Sequence, residues 1–445
     1  MRGEPSAGAP CDDLSSRASA RWTGLPRGRG PGEGRTVVTV RRIPGAARGG
    51  RRTLPALLLG VSLMAVAACG GSGGSGDGEK GGDGKGDGRA RTSRAMVTIA
   101  PKDGAKGVDT TGALKVTSAR GTLSSVKVKD AKGTPVAGKV ARDGRSWRPE
   151  AHLRSDTTYT VDAVAKDADG LATTRHATFT TLRPKETFLG VYTPEDGSTV
   201  GVGMPVSLRF SRGITHPAAV EKGIKVSASP PVPIAGHWFG NDRLDFRPEK
   251  YWKPGTKVTL RMDLDGVEGR PGVYGEQRKS VTFTIGRSQI SVVDAKSKKM
   301  TVKRDGRTIK TVPITSGAPG HETYNGKMVI SEKLPVTRMD GATVGFDGEY
   351  DIKDVPHAMR LSTSGTFIHG NYWAGRATFG SANVSHGCVG LFDQRGGGDS
   401  TAPAAWFFRE SLIGDVVIVK NSDDETIQPD NGLNGWNMSW AKWKG

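Results

Sequence analysis

One stretch of this chain is written twice, and that repeat constrains the fold more than anything else in the sequence. Pro101-Lys102-Asp103-Gly104 recurs as Pro194-Glu195-Asp196-Gly197, and Trp147-Arg148-Pro149-Glu150 recurs as Phe246-Arg247-Pro248-Glu249. Each copy runs on into a Thr-rich strand, Thr157-Thr158-Tyr159 in the first and Thr256-Lys257-Val258 in the second. Both close on similar strands, Ala177-Thr178-Phe179-Thr180 and Val281-Thr282-Phe283-Thr284. A period of about 100 residues exceeds that of solenoid repeats and marks a tandem array of whole domains.

Within the first copy the runs Val97-Thr98-Ile99, Leu114-Lys115-Val116, Val126-Lys127-Val128 and Tyr159-Thr160-Val161 alternate in polarity. Asp103-Gly104, Asp143-Gly144 and Asp169-Gly170 supply turns between them. Period-two alternation with frequent turns predicts β-sandwiches of immunoglobulin-like size. We expect two in series, at residues 95–184 and 185–286, forming a stalk. Trp238, Phe239, Tyr251 and Trp252 could bind carbohydrate, but such aromatics are expected to serve core and inter-domain packing.

After Gly286 the pattern changes. Met300-Thr301-Val302-Lys303 and Thr308-Ile309-Lys310-Thr311-Val312 flank Asp305-Gly306, a two-residue hairpin signal. Ala404 to Leu412 predicts a helix stopped by Gly414, and Val416-Val417-Ile418-Val419 a buried strand. Residues 287–421 therefore read as a β-rich domain with little helix. In the tail, 422–445, Trp436, Trp440 and Trp443 stand at i, i+4 and i+7, which places three indoles on one helical face. The tail is expected to pack against the third domain, with membrane-interface contact as the alternative. The whole chain is thus mostly β.

The three cysteines divide by context. Cys11 lies in a leader whose residues 1–52 hold eleven arginines and four acids, a net +7. Cys69 ends the apolar run Leu54 to Ala68, which is too short for a permanent span and follows Arg51-Arg52. Val66-Ala67-Ala68-Cys69 resembles a bacterial lipobox, so residues 1–68 read as leader and lipoprotein signal, with Cys69 acylated after cleavage. Several acyl chains make a durable anchor where one would not. Residues 69–94, rich in Gly, Ser, Asp and Lys, form a flexible linker that cannot bury a core.

Cys388 is then the one unmodified thiol, with no disulfide framework. Subtracting the leader's +7 from the total +19 leaves +12, a balance suited to anionic wall polymers and lipid headgroups. The lysines are dispersed along strand-like runs and no nucleic-acid motif appears, so nucleic acid is excluded as partner.

Chemistry concentrates at Ser385-His386-Gly387-Cys388 and at His369, which ends the apolar run Thr366-Phe367-Ile368. An imidazole near a thiol can take its proton and return it near neutral pH. His369 is assigned as general base because it ends a strand; His386, two residues from Cys388 on a tight turn, is given a supporting role. Gly387 and Cys388 could present backbone N–H groups as an oxyanion hole. Ser385 could hold either an imidazole or the loop. A Cys/His/His set with His357 as fourth ligand matches no common zinc spacing. No metal or cofactor is expected, and His321 and His357 read as loop histidines near the pocket mouth.

These residues resemble the L,D-transpeptidase (YkuD) family over roughly Ser288 to Ser422. The likeness is carried by His369-Gly370, Trp373, Ser385-His386-Gly387-Cys388, Ser316-Gly317 and Thr323-Tyr324-Asn325-Gly326. The tandem sandwiches and the Trp-rich tail resemble its actinobacterial, lipid-anchored members. The resemblance implies attack by Cys388 on the third residue of a peptidoglycan stem tetrapeptide, with His369 as base and then acid. It also implies orientation of His369 by the Gly370 carbonyl, a thioester resolved by a second stem's amine, and acylation by carbapenem-type β-lactams. It places Ser364, Gly365 and Trp373 beside substrate. Where the family usually has Asn or Arg two residues after the cysteine, this chain has Gly390, which removes a side chain that could position substrate.

The expected protein is a lipid-anchored, extracytoplasmic enzyme facing the cell wall. An L,D-carboxypeptidase that trims stems and an inactive wall-binding scaffold are the alternatives.

Overall fold

Alternating burial builds the N-terminal half. In the strand Thr158–Lys166, Tyr159, Val161, Ala163 and Ala165 point inward while their neighbours face out. The computed structural model describes residues 91–344 and 348–445. The leader and signal at 1–68, Cys11, Cys69 and the linker as far as residue 90 lie outside the described residues.

Eight strands form the first sandwich. One sheet runs in the order Met96–Ala100, Lys115–Ala119, Ser146–Pro149, Gly138–Val140, and the other runs Ala105–Val108, Ala172–Thr181, Thr158–Lys166, Thr122–Asp130. Val116, Trp147, Tyr159 and Phe179 fill the space between them.

The second sandwich repeats the plan. Its sheets run Gly190–Thr193, Val206–Phe210, Arg243–Pro248, Ile234–Phe239 and Thr199–Val200, Arg278–Ile285, Lys257–Asp263, Ile224–Ser229. A small sheet of Glu268–Arg270, Val273–Gly275 and Glu186–Phe188 is added. Its aromatics are used for packing: Trp252 is buried and donates to the Met204 carbonyl at 2.7 Å, and Trp238 stacks on Phe210 at 5.4 Å. Phe239 packs against Trp443, and Tyr251 against Trp436.

A nine-stranded sheet carries the C-terminal domain. Its order is Gly326–Val329, Val416–Lys420, Gln289–Asp294, Lys299–Arg304, Arg307–Thr315, Val389–Phe392, Phe367–Asn371, Asp351–Arg360, Glu332–Asp340. The predicted helix is present as Pro403–Glu410, with Ala404 and Phe407 facing the core. Among the described residues no helix is long and apolar enough to cross a membrane.

Backbone joins this domain to the second sandwich. Gly201 N–H donates to Ile413 O at 2.7 Å and Gly203 N–H to Gly414 O at 2.9 Å. A Cβ at Gly201 would lie 2.2 Å from Asp415 N, so only glycine permits the approach.

The tail departs from expectation. Only Trp440–Lys444 is α-helical, Trp436 lies in a preceding single turn, and the indoles do not share a helical face. They converge instead on Arg247, whose Cζ lies 4.8, 5.4 and 4.2 Å from the Trp436, Trp440 and Trp443 rings. Burial lowers the Arg247 pKa to about 10, which leaves it charged at neutral pH. The tail thus packs on the second sandwich as well as on the third domain, where the Asn434 side chain bonds Val329 N and Leu361 O.

Candidate active site

Two adjacent parallel strands position the reactive groups. Phe367–Asn371 pairs with Val389–Phe392 so that His369 lies opposite Gly390, and Cys388 immediately precedes the second strand. Parallel pairing puts both strand ends at the same edge of the sheet, where a loop can cover them. Here that loop is Ser385 to Cys388. Gly387 turns it at φ +99°, a conformation that disfavours other residues.

Ser385 Oγ closes the turn by donating to the Cys388 carbonyl at 2.5 Å, so its hydroxyl holds the loop and not an imidazole. Ser316 O accepts from Ser385 N at 3.1 Å, and Ala318 N donates to Ser385 O at 2.8 Å. The segment around Ser316-Gly317 therefore braces the loop from below, and Thr323 Oγ1 in turn accepts from Gly317 N.

Cys388 and His369 line one cavity of about 290 Å3, together with Trp373, Asn371, Tyr350 and His386. A larger concavity of about 890 Å3 lies between the two sandwiches and is lined by Arg148, His152 and Lys222 but contains no nucleophile. Chemistry, not size, selects the smaller one.

His369 is 4 % exposed, and its Nδ1 faces the Gly370 carbonyl at 3.0 Å, which leaves Nε2 as the atom able to accept a proton. Trp373 stacks on the imidazole at 5.6 Å with 16° between planes, and remains 44 % exposed. His386 lines the same cavity, with its Nε2 3.0 Å from Glu349 Oε2.

The resting pair is neutral. Burial pushes the Cys388 thiol up to about 11, partly opposed by the Phe367 N–H and by Arg360, and burial lowers His369 below its ordinary value. Both groups are desolvated, and each charged form is disfavoured. The thiol donates to Gly365 O at 3.6 Å. Proton transfer must accompany attack on a bound carbonyl. It follows that a small alkylating reagent should label Cys388 slowly at pH 7, where only about one thiol in ten thousand is ionised for a pKa near 11. Its rate is expected to rise roughly tenfold per pH unit from 7 to 10; a plateau near pH 7 would show a pre-formed ion pair.

Other assignments are redistributed. Gly365 touches the thiol through its carbonyl, but Ser364 does not line the cavity: its N–H and hydroxyl are taken by Asn431 of the tail at 3.0 and 2.8 Å. His357 is not a mouth loop residue; it lies in the strand Asp351–Arg360 and binds Asp393 at 2.7 Å, so it cannot complete a metal set with Cys388. His321 does stand near the mouth, 4.9 Å from the His386 ring, and with Glu349 and His386 it brings three ligand atoms within 4.8 Å of one another.

Three residues were missed by the sequence reading. Tyr350, raised to about 12 by burial and by Cys388, presents a neutral phenol to the cavity. Asp393 is fully buried, and its Oδ2 would sit 2.3 Å from a Cβ on Gly370, so glycine at 370 admits a carboxylate beneath the peptide that orients His369.

Asn371 fills the space over Gly390: a Cβ there would lie 3.3 Å from Asn371 Nδ2 and 2.7 Å from Thr315 Cγ2. The space that a side chain at 390 would take is thus occupied from the two neighbouring strands. Gly390→Asn is expected to destabilise the fold by about 1–3 kcal/mol through overpacking, read as a lower denaturant midpoint. An unchanged midpoint would show that Thr315 and Asn371 yield freely.

Comparison with known proteins gives one match to a sandwich domain, spanning parts of both sandwiches, and one to the third domain. Residues 105–268 match a bacterial Ig domain, and residues 288–419 match the L,D-transpeptidase catalytic domain, YkuD. L,D-transpeptidase 2 of Mycobacterium tuberculosis is 34% identical over 403 residues, covering 90% of this chain and 96% of the relative. L,D-transpeptidase 5 of the same organism is 30% identical over 354 residues, covering 78% and 76%. A solved structure of L,D-transpeptidase 3 from M. tuberculosis, in complex with a faropenem-derived adduct, is 27% identical over 52% of this chain and 97% of that one, with a TM-score of 0.41.

Proposed function

We propose, because this chain belongs to the L,D-transpeptidase family, that it cross-links peptidoglycan stem peptides through a thioester on Cys388. The observation that carries this reading is the shared cavity of Cys388 and His369, with the imidazole fixed by the Gly370 carbonyl. In the first step the Cys388 sulfur attacks the carbonyl of the third residue of a tetrapeptide stem. His369 Nε2 takes the thiol proton and delivers it to the departing amine of the terminal D-alanine. Backbone N–H groups at Gly387 and Cys388, with the Tyr350 phenol that lines the cavity, would serve as donors to the developing oxyanion. In the second step the amine of another stem attacks the thioester, His369 accepts its proton, and a link between third residues forms while the thiol is regenerated.

A buried, neutral pair suits this sequence. Water is kept from the thioester, and charge develops only when substrate is in place. Trp373, stacked on His369 and half exposed, is the surface against which either stem would lie. Carbapenem-type β-lactams would enter as acyl donors and remain on the sulfur.

Anchoring belongs to the same proposal. Acylation of Cys69 would hold the enzyme on the outer face of the cell membrane, with the linker and the two sandwiches carrying the site into the wall. Cys69→Ala is expected to shift the protein from the membrane fraction to the medium; unchanged fractionation would remove the anchor from the account.

Incubation with a disaccharide-tetrapeptide, read by mass spectrometry, tests the reaction. A cross-linked dimer with release of D-alanine is expected. Tripeptide monomer alone would make the protein an L,D-carboxypeptidase, and no turnover would make it a wall-binding scaffold.

A further inference from the structure

We propose that His321, Glu349 and His386 form a divalent-cation site, suited to Zn2+, at the mouth of the Cys388 cavity, and that its occupancy shuts the thiol off. The donors come from three separate segments: the loop after Ser316-Gly317, the approach to the strand Asp351–Arg360, and the turn that precedes Cys388. His386 Nε2 lies 3.0 Å from Glu349 Oε2, His321 Nε2 lies 3.8 Å from the same oxygen, and all three ligand atoms fall within 4.8 Å of one another. A tetrahedral Zn2+ with bonds of ~2.0–2.2 Å sets its ligands roughly 3.3–3.6 Å apart. The observed separations bracket that spacing, so side-chain rotations of less than an ångström or so would complete the triangle.

Donor type points the same way. Two imidazoles and one carboxylate are borderline ligands that favour Zn2+ over Ca2+ or Mg2+, which require more oxygens. The side chains of His321, His386 and Glu349 are 34%, 36% and 47% exposed, so an ion can enter from solvent without unfolding. Three protein ligands leave a fourth position for water or for a passing group. His386 lines the same cavity as Cys388 and is separated from it by Gly387 alone, so an ion on His386 stands across the route to the sulfur.

The binding half of the proposal is independent of the reaction; the gating half rests on Cys388 being the reactive thiol. Full-length protein carrying Cys388→Ala, which removes the thiol as a ligand, is titrated with Zn2+ by equilibrium dialysis. One ion per chain is expected, weakened at least about tenfold by His321→Gln and by Glu349→Gln. No binding, or binding that both substitutions leave unchanged, overturns the site and leaves the Glu349–His386 contact as a simple ion pair. In wild-type protein, saturating Zn2+ should slow carbapenem acylation of Cys388 at least about tenfold, with recovery on adding EDTA, and Glu349→Gln should resist the ion. Acylation indifferent to bound Zn2+ overturns the gating. Acylation that fails without metal present bears on the transpeptidase reading instead.

Discussion

Cys388→Ala is expected to abolish cross-linking, lowering the rate by at least about 10⁴-fold, while the fold survives. The sulfur contacts Ala358 and Phe367 in a small cluster at the sheet edge, and replacing it with hydrogen leaves a cavity smaller than a methyl group. No other described cysteine can take over. The loss is therefore chemical. Intact-protein mass after exposure to a carbapenem separates the cases: the wild type should gain one adduct and the variant none. An adduct on the variant would place the nucleophile elsewhere. His369→Gln should retain the thiol yet acylate far more slowly, because the proton then has no acceptor at the buried end of the cavity.

The second large effect lies far from the thiol. Trp443→Ala is expected to destabilise the protein by about 3–5 kcal/mol, the range for truncating a fully buried large aromatic. Trp443 is 1 % exposed, its Nε1 donates to Ala235 O at 2.9 Å, and its ring stands 4.2 Å from the Arg247 guanidinium. Removing it opens a void and also uncovers a buried cation whose hydrogen bonds run to the carbonyls of Pro248, Glu249 and Met438. A buried charge that loses its cover is costly. Chemical denaturation of wild type and variant measures the difference. Equal midpoints would mean that the tail contributes nothing to stability.

Legibility from sequence followed distance along the chain. The repeat was readable because each sandwich is made of short local strands whose alternation survives in the letters. Cys388, Gly387 and Ser385 were readable because a turn of four residues carries its own geometry. His369 was readable as part of an apolar strand, but it stands at the middle of Phe367–Asn371 and not at its end, and its parallel pairing with residues 389–392 was not legible. Asn371 follows His369 by two on one strand, so period-two alternation puts both on the same face, a signal the motif-led reading passed over. Tyr350, before the strand Asp351–Arg360, and Asp393, just past Val389–Phe392, reach the site only through the tertiary fold. For Asp393 the usable signal is Gly370, a glycine in a buried strand where a larger residue would otherwise be favoured. The burial of the thiol was not legible for a related reason: burial is a property of the folded surroundings, of which polar and glycine-rich flanks carry no sign.

The tryptophans misled in a different way. Their spacing fits one helical face, yet Arg247, nearly two hundred residues upstream, decides where they go. A cation held by three rings outweighs the propensity of a short terminal segment.

Asn431 holds Thr363 and Ser364, one residue before the carbonyl that receives the Cys388 hydrogen. Asn431 lies beyond Val416–Lys420, the last strand of the nine-stranded sheet, so the fastening beside the reactive centre comes from outside the sheet that carries it. A product terminated early, beyond Cys388 but short of Asn431, would carry both thiol and imidazole and still lack the fastening that sets them.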